Sequence, residues 1–584
     1  MTWEIRRQLA TQVSREAGTR KFPPGTRYDT AIAYPNTYKL GMSNLGLHIL
    51  YQMINNESDL ACERFFLPDA SLQKLYDRTN TTLLSMETQR PLHDFGVIGV
   101  VLSFEMDYFH FLELLCMGKV PLLAAERQEA DSFVVTGGPC ATFNPEPLAD
   151  FADAVVIGEG EETFLNVIRL VQAGRQNGLA RKEILRQLAA LPHVYVPSLY
   201  EATYDDEGQF LGLQAKNGAP ETISRGWVKA LDAMPGGSAI VTPDTEFSNV
   251  YLLEVARGCG RHCRFCMAGY CFRRPRQRDK QKLVEQVRNC PAQTERIGLM
   301  GAAVSDYDEI LSLGLDLRAQ QRSFSVASLR ADSLTAELVE QLAAGGQRTL
   351  TVAPEAGSAR MRRIINKGID EADIFRAVAL AAASGMPHLK LYFMIGLPEE
   401  TQEDVDAIAD MVLRIRGKML ENGGRGDLTI SVNPFVPKPF TPFQWQPLQP
   451  LKAFEAKIAF LRKQFEKDRH IKLIAESGRE TLIQALLARG DRRLGSVLRT
   501  AFETNSVKQF RRLAEKEAPE NVMRLHNGWS LDEPLPWDHL FMGFEKQYLW
   551  QEWQKALKEE LTVPCFEGCR RCGVCCEETG EKNG

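Results

Sequence analysis

Three cysteines stand close together in Val255-Ala-Arg-Gly-Cys259-Gly-Arg-His-Cys263-Arg-Phe-Cys266-Met, with the spacing C-x3-C-x2-C. Three thiolates can bind three irons of a four-iron, four-sulfur (4Fe-4S) cluster and leave the fourth iron without a protein ligand, open to a small molecule. A structural zinc site would instead need a fourth Cys or His to close a tetrahedron, and His262 or Cys271 are the nearby choices. Two features favour the open cluster: an apolar run, Val250-Tyr-Leu-Leu-Glu-Val255, leads into the loop, and an aromatic residue, Phe265, precedes its last cysteine.

A second thiol group ends the chain, in Cys565-Phe-Glu-Gly-Cys569-Arg-Arg-Cys572-Gly-Val-Cys575-Cys576. Cys569, Cys572 and Cys575 repeat the C-x2-C-x2-C spacing of ferredoxin-type ligands, which favours a second iron-sulfur cluster. Zinc held by Cys565, Cys569, Cys572 and Cys575 is the rival, because a closed four-thiolate site needs only sequence-local ligands.

These groups need elements to position them. Upstream, short apolar strands centred on Thr30–Tyr34, Arg64–Leu67, Phe95–Ser103, Phe133–Gly137 and Ala154–Ile157 alternate with helical patterns such as Leu45, Ile49, Leu50 and Met53. That alternation predicts a Rossmann-like parallel sheet covered on both faces. Ligands of such sheets bind at the strand carboxyl ends, where Gly137-Gly138-Pro139 and Gly158-Glu159-Gly160-Glu161 stand; the same glycines could equally serve only as turns. Downstream of Cys266, strand-like runs at Ile297–Met300, Phe324–Ser328, Thr349–Val352, His388–Ile395 and Leu428–Val432 recur between helices. With the run before Cys259 they make six βα units, a partial barrel whose chemistry belongs at the strand carboxyl ends. The proline-rich Asn433–Trp445 stretch predicts a rigid, non-helical cover near the barrel mouth. Leu451 to about Lys467 and Glu480 to Phe510 carry helical spacing.

On the motif at Cys259–Cys266 the chain resembles the radical S-adenosylmethionine (SAM) superfamily. The resemblance implies that SAM binds the open iron and is cleaved reductively to start radical chemistry, with flavodoxin or ferredoxin as the electron donor. It further implies SAM contacts at Phe265, at Gly301-Ala302, where the family's Gly-Gly-Glu is reduced to backbone, at Ser328, Arg330 and Glu355, and at the turn Gly396-Leu-Pro398. That turn also suits a helix start with Thr401 as N-cap. The upstream segments resemble the cobalamin-binding domain of cobalamin-dependent radical SAM proteins, which implies a cobalamin site at Gly137, Gly138, Gly158 and Gly160 and methyl transfer as the reaction. One departure counts against it: where such domains carry Asp-x-His-x-x-Gly, this chain reads Tyr34-Pro-Asn-Thr-Tyr-Lys-Leu-Gly41, with no imidazole for cobalt. A domain that keeps the fold without the cofactor is the alternative. With Pro536-Trp537-Asp538-His539-Leu540 and the cysteine tail, the chain resembles fused cobalamin-like and radical SAM proteins of unassigned reaction.

The boundaries expected are a Rossmann-like cobalamin-binding-like domain at 1–225, a partial (βα)6 barrel at 226–450, a mainly helical region at 451–560 and a metal-binding tail at 561–584. The 584 residues carry a net charge of -5, which gives no global attraction to nucleic acid or anionic membrane. No apolar run approaches the length of a membrane span and no apolar leader opens the sequence, so a cytoplasmic protein is expected. Eight of the thirteen cysteines fall in the two groups, a metal-binding rather than disulfide pattern. Basic runs at Arg273, Arg274, Arg276, Arg278 and Lys280, and at Arg360, Arg362, Arg363 and Lys367, read as solvated faces; the competing reading is a grip on RNA, as in an RNA-modifying radical enzyme. A non-enzymatic iron-sulfur or zinc module, serving as a sensor or in electron transfer, is the remaining alternative.

Overall fold

The structure is a computed structural model and describes residues 2–566 and 568–574. Its first sheet contains β1 (Tyr28–Thr37), β2 (Leu60–Leu67), β3 (Val97–Val101), β4 (Phe133–Gly137), β5 (Ala154–Val156) and β6 (Val194–Tyr195), in the order β2-β1-β3-β4-β5-β6. The first five strands are parallel and β6 joins β5 antiparallel. Every residue of β2 is buried, as expected of a strand with helices on both faces. β1 runs on through Pro35 to Thr37, beyond the apolar Thr30–Tyr34 run, and a bulge in its pairing with β2 accommodates the proline.

A hairpin, β7 (Tyr200–Tyr204) and β8 (Phe210–Ala215), and the short β9 (Ile223–Ser224) lead into the second half. There β10 (Val250–Glu254) enters the cysteine loop, which carries β11 (Ala256–Arg257) and β12 (Arg276–Gln277) as a small antiparallel pair. The wall continues through β13 (Arg296–Met300) and β14 (Ser323–Val326), and then through β15 (Thr349–Glu355), β16 (His388–Ile395), β17 (Leu428–Pro434) and β18 (Ile471–Ala475). All neighbouring strands of this wall are parallel. Its two halves meet through one bridge, Leu329 with Val352.

The seventh strand, β18, is a correction to six βα units. It lies in the region read as helical and lines the wall beyond 450. The helices expected around it are present, at Leu451–Phe465, Gly478–Arg489 and Leu494–Glu503. Asn433–Trp445 is indeed non-helical after Pro434, yet it is core rather than cover. Thr441, Phe443, Gln444 and Trp445 are buried, and Trp537 Nε1 donates to Gln444 Oε1 at 2.9 Å. The C-terminal region also packs on the first sheet, where helix Leu494–Glu503 meets helix Asp107–Met117. It returns one strand, β19 (Leu540–Phe541), to pair with β9. Among the described residues no helix is long and apolar enough to cross a membrane.

Candidate functional site

The carboxyl ends of the first sheet face the cysteine loop across a cavity of about 380 Å³. One side is formed by Val100, Val135, Thr136, Gly137, Gly138, Val156, Gly158 and Gly160; the other by Gly258, Ala268 and Phe272 of the loop, and by Gly301 and Ala302 after β13. The four glycines suggested for one ligand and two of the residues suggested for another thus line a single space.

The glycines divide by what surrounds them. Gly158 has φ +98°, and a Cβ there would collide with the Gly226 carbonyl, to which it is bridged. A Cβ on Gly138 (φ +94°) would lie 2.6 Å from the Leu102 carbonyl oxygen. Both are required by neighbouring backbone, as the turn reading had it. At Gly137 and Gly160 the nearest atoms, on Val156, are 3.8 and 3.7 Å from such a Cβ, so these two keep open space beside the cavity. Thr136, next to Gly137 on β4, has a buried Oγ1 with no hydrogen-bond partner. The open space beside Gly137 and Gly160, at the strand carboxyl ends, would admit part of a cofactor such as cobalamin. The described lining contains no histidine, and the segment after β1 supplies none.

A network of buried ion pairs holds the two walls together. Arg257, two residues before Cys259, reaches Glu161 at 2.6 Å, Glu254 at 2.8 Å and Glu159 at 3.1 Å. Arg276 donates to Glu159 at 2.9 Å and Arg278 to Glu254 at 2.6 Å. Burial pushes Glu159 and Glu254 up, but the guanidiniums outweigh it and both carboxyls titrate below their ordinary value. The first basic run is therefore an internal structure, with Arg273, Arg276 and Arg278 buried, and not the solvated face expected. The second behaves alike: Arg362 and Lys367 are buried, Arg360 pairs with Asp404 and Arg363 with Glu559. Both runs are thus largely buried or ion-paired within the protein.

Around the loop thiols, Cys263 is buried and Cys259 and Cys266 are half-buried. Burial, and then the neighbouring thiols, push Cys266 up to about 12; burial and Cys263 also raise Cys259. Thiols in this state lose protons only as a metal takes them, so loading is coupled to proton release. Among the described residues no three His, Cys, Asp or Glu side chains already close on a single ion position. The donor set nonetheless fits a cluster: three thiols on one short loop, with the cations Arg330 and Lys367 in electrostatic reach of Cys263.

Several suggested SAM residues gather on this side. Glu355, at the end of β15 with φ +67°, accepts from Lys367 Nζ at 3.1 Å, and that ammonium lies 6.0 Å from the Phe265 ring centre. Arg330 pairs with Asp332 at 3.0 Å and donates to the Lys367 carbonyl at 2.9 Å. Ser328 is exposed between β14 and Arg330. Gly396 (φ +80°) donates its N–H to Glu400 at 3.0 Å, and Pro398 follows in the turn. Thr401 caps the next helix, Gln402–Glu421, with its N–H on Asp404 at 2.9 Å. Gly301, Ala302, Gly137, Gly138, Gly158 and Gly160 belong to the cavity, whereas Phe265, Arg330, Glu355 and Lys367 surround Cys263 behind it. In the sequence Lys367 is one member of a charge run and Arg257 an unmarked residue before the loop, so neither carries a signal of its role. Tyr270 and Cys271, just after the loop, are both buried, and Tyr270 donates to the His262 carbonyl at 3.3 Å.

Comparisons with known proteins address the family and the fold. Residues 46–197 match a family described as the N-terminal part of radical SAM proteins, and residues 253–412 match the radical SAM superfamily. An uncharacterised protein of Methanocaldococcus jannaschii is 30% identical over 480 residues, 80% of this chain and 90% of that one. An uncharacterised methyltransferase of Pyrococcus horikoshii is 25% identical over 288 residues, 47% of this chain and 56% of the relative. Among solved structures, the radical SAM methyltransferase TsrM of Kitasatospora setae, with cobalamin and a 4Fe-4S cluster bound, superposes with a TM-score of 0.51. That match has 14% identity and covers 82% of this chain and all of TsrM. The chain belongs to the radical SAM superfamily and is an enzyme whose α/β architecture is shared with the radical SAM methyltransferase TsrM.

Proposed function

We propose that the enzyme binds a 4Fe-4S cluster through Cys259, Cys263 and Cys266, cleaves SAM reductively there, and uses cobalamin in the adjoining cavity to methylate an unactivated carbon. The observation that carries the reading is the shared cavity, with Gly137 and Gly160 on one wall and the cluster loop with Gly301-Ala302 on the other. When bound, the cluster supplies one electron to the sulfonium and cobalamin supplies a methyl carrier.

The chain's own residues do the rest. Arg330 and Lys367 offset the negative charge of the thiolates beside Cys263. Lys367 and Glu355 give SAM's carboxylate and amino groups an ammonium and a carboxylate of opposite sign. The apolar lining from Leu45, Ile49, Val100 and Phe164 excludes water from a radical reaction. The open faces of Gly137 and Gly160 would seat the cofactor, without an imidazole ligand from the lining. A low-potential donor of the flavodoxin or ferredoxin class completes the system.

Anaerobic protein reconstituted with iron, sulfide and hydroxocobalamin, then reduced with SAM present, tests this. Wild type should release 5'-deoxyadenosine and retain about one cobalt per chain. Cys263→Ala should release none while keeping its cobalt. Fully loaded wild type that never cleaves SAM would remove the reading, and the absence of cobalt would remove its methyl-transfer half.

A further inference from the structure

The C-terminal thiols are stitched to the cluster loop. The Cys565 N–H donates to the Gly260 carbonyl at 2.8 Å, and its Sγ is 3.1 Å from His262 Nε2. The segment leading to it is fastened as well. The Asn366 amide donates to the His262 carbonyl at 3.1 Å and to the Thr562 carbonyl at 3.0 Å, and it accepts from the Thr562 N–H at 2.9 Å. Arg264 donates to the Glu560 carbonyl at 2.7 Å. Cys569 and Cys572 are buried and act electrostatically on Cys565, and Arg571 Nε stands 3.2 Å from Cys569 Sγ.

The hydrogen bonds of His262 fix its role. Arg273 Nη2 lies 2.7 Å from Nδ1, and a guanidinium can only donate. Nδ1 therefore keeps its lone pair, the ring hydrogen sits on Nε2, and that N–H points at the Cys565 sulfur. Tyr548 donates to Nδ1 at 3.0 Å and reinforces the tautomer. His262 is thus a donor to sulfur, which corrects its suggested role as a zinc ligand in the first loop. Two of the three described tail sulfurs, on Cys565 and Cys569, face N–H donors. Such hydrogen bonds stabilise thiolates and the added electron of an iron-sulfur centre.

We infer that Cys565, Cys569 and Cys572 ligate a second iron-sulfur cluster, docked on the SAM loop and hydrogen-bonded to it through His262. Cys575, next in the spacing, lies outside the described residues. The inference deepens the proposed function and rests on it for the identity of the first cluster, but its test separates the two.

The full chain, reconstituted anaerobically, should hold about eight irons, four for each cluster. Replacing Cys259, Cys263 and Cys266 together by Ser should leave about four, with a paramagnetic signal after one-electron reduction by dithionite. The reciprocal Cys569→Ser/Cys572→Ser variant should also leave about four and should still bind SAM. A wild type with about four irons, all lost in the loop variant, overturns the inference even if SAM is cleaved. One zinc per chain retained by the loop variant in place of iron overturns it too. The hydrogen-bond assignment is read separately: His262→Leu should move the midpoint potential of the tail signal to more negative values. Arg571→Gln, away from the loop, should do the same if the first variant does not fold. An unmoved potential in a folded variant overturns the sulfur-donor role.

Discussion

Replacing Gly158 or Gly160 by alanine should have opposite consequences, although the two stand one residue apart in Gly158-Glu159-Gly160. At Gly158 an L side chain must adopt φ +98°, which costs about 1–2 kcal/mol. Its Cβ must also displace the Gly226 carbonyl, disturbing two backbone hydrogen bonds, Glu159 N–H to Gly226 O at 2.9 Å and Gly226 N–H to Ile157 O at 2.8 Å. At about 1 kcal/mol each, these bring the total to about 3–4 kcal/mol. The lower chain entropy of alanine in the unfolded state offsets about 0.4–1 kcal/mol, leaving about 3 kcal/mol. That corresponds to a melting midpoint lowered by roughly 6–12 °C for a domain of this size. Gly160 has φ -92° and no atom within 3.7 Å of an added Cβ, so Gly160→Ala should melt within about 1 °C of wild type. Its methyl nevertheless intrudes on the cavity and should weaken retention of cobalamin. Anaerobic thermal unfolding by circular dichroism, with cobalt analysis of the same samples, reads both effects. A Gly158→Ala protein as stable as wild type would refute the steric argument, and a destabilised Gly160→Ala would show that the two roles are reversed.

Three further outcomes follow from the ion pairs. Glu159→Gln leaves Arg257 and Arg276 short of a buried partner and should destabilise by about 3–5 kcal/mol, measurable by urea unfolding; a change below 1 kcal/mol would show that the pairs are dispensable. Because Glu159 and Glu254 titrate below their ordinary value when folded, the unfolded chain binds protons first as the pH falls. Their stabilisation is complete above roughly pH 5 and is lost below it, so fluorescence of Trp227, which lies over Arg276, should report loosening in acid, and a flat signal down to pH 3 would contradict the assignment. Lys367→Met should weaken SAM binding about tenfold or more without loss of cluster iron, and calorimetry that finds unchanged affinity would exclude the Lys367–Glu355 pair from the SAM site.

Local patterns made much of this legible. The strands before and after Cys259 are buried apolar runs between helical segments, and runs of that kind declare themselves without knowledge of their partners. β18 did not, because Ile471-Lys-Leu-Ile-Ala is five residues long and lies between two long helical patterns; only its pairing with β17 makes it a strand. The burial of Arg276 was invisible for a related reason: its carboxylate partner, Glu159, is 117 residues away. Sequence also could not separate the two kinds of glycine in Gly158-Glu159-Gly160. What distinguishes them is the backbone of Gly226, which the fold brings alongside one and not the other.

The seam between His262 and Cys565 joins residues 303 positions apart. At about 5–20 residues per second, a ribosome would complete the loop roughly 15–60 s before it completes the segment that contacts it. During that interval the loop lacks the contacts that Cys565 makes with Gly260 and His262 in the finished chain. Synthesis itself thus sets the order in which the two cysteine groups can meet.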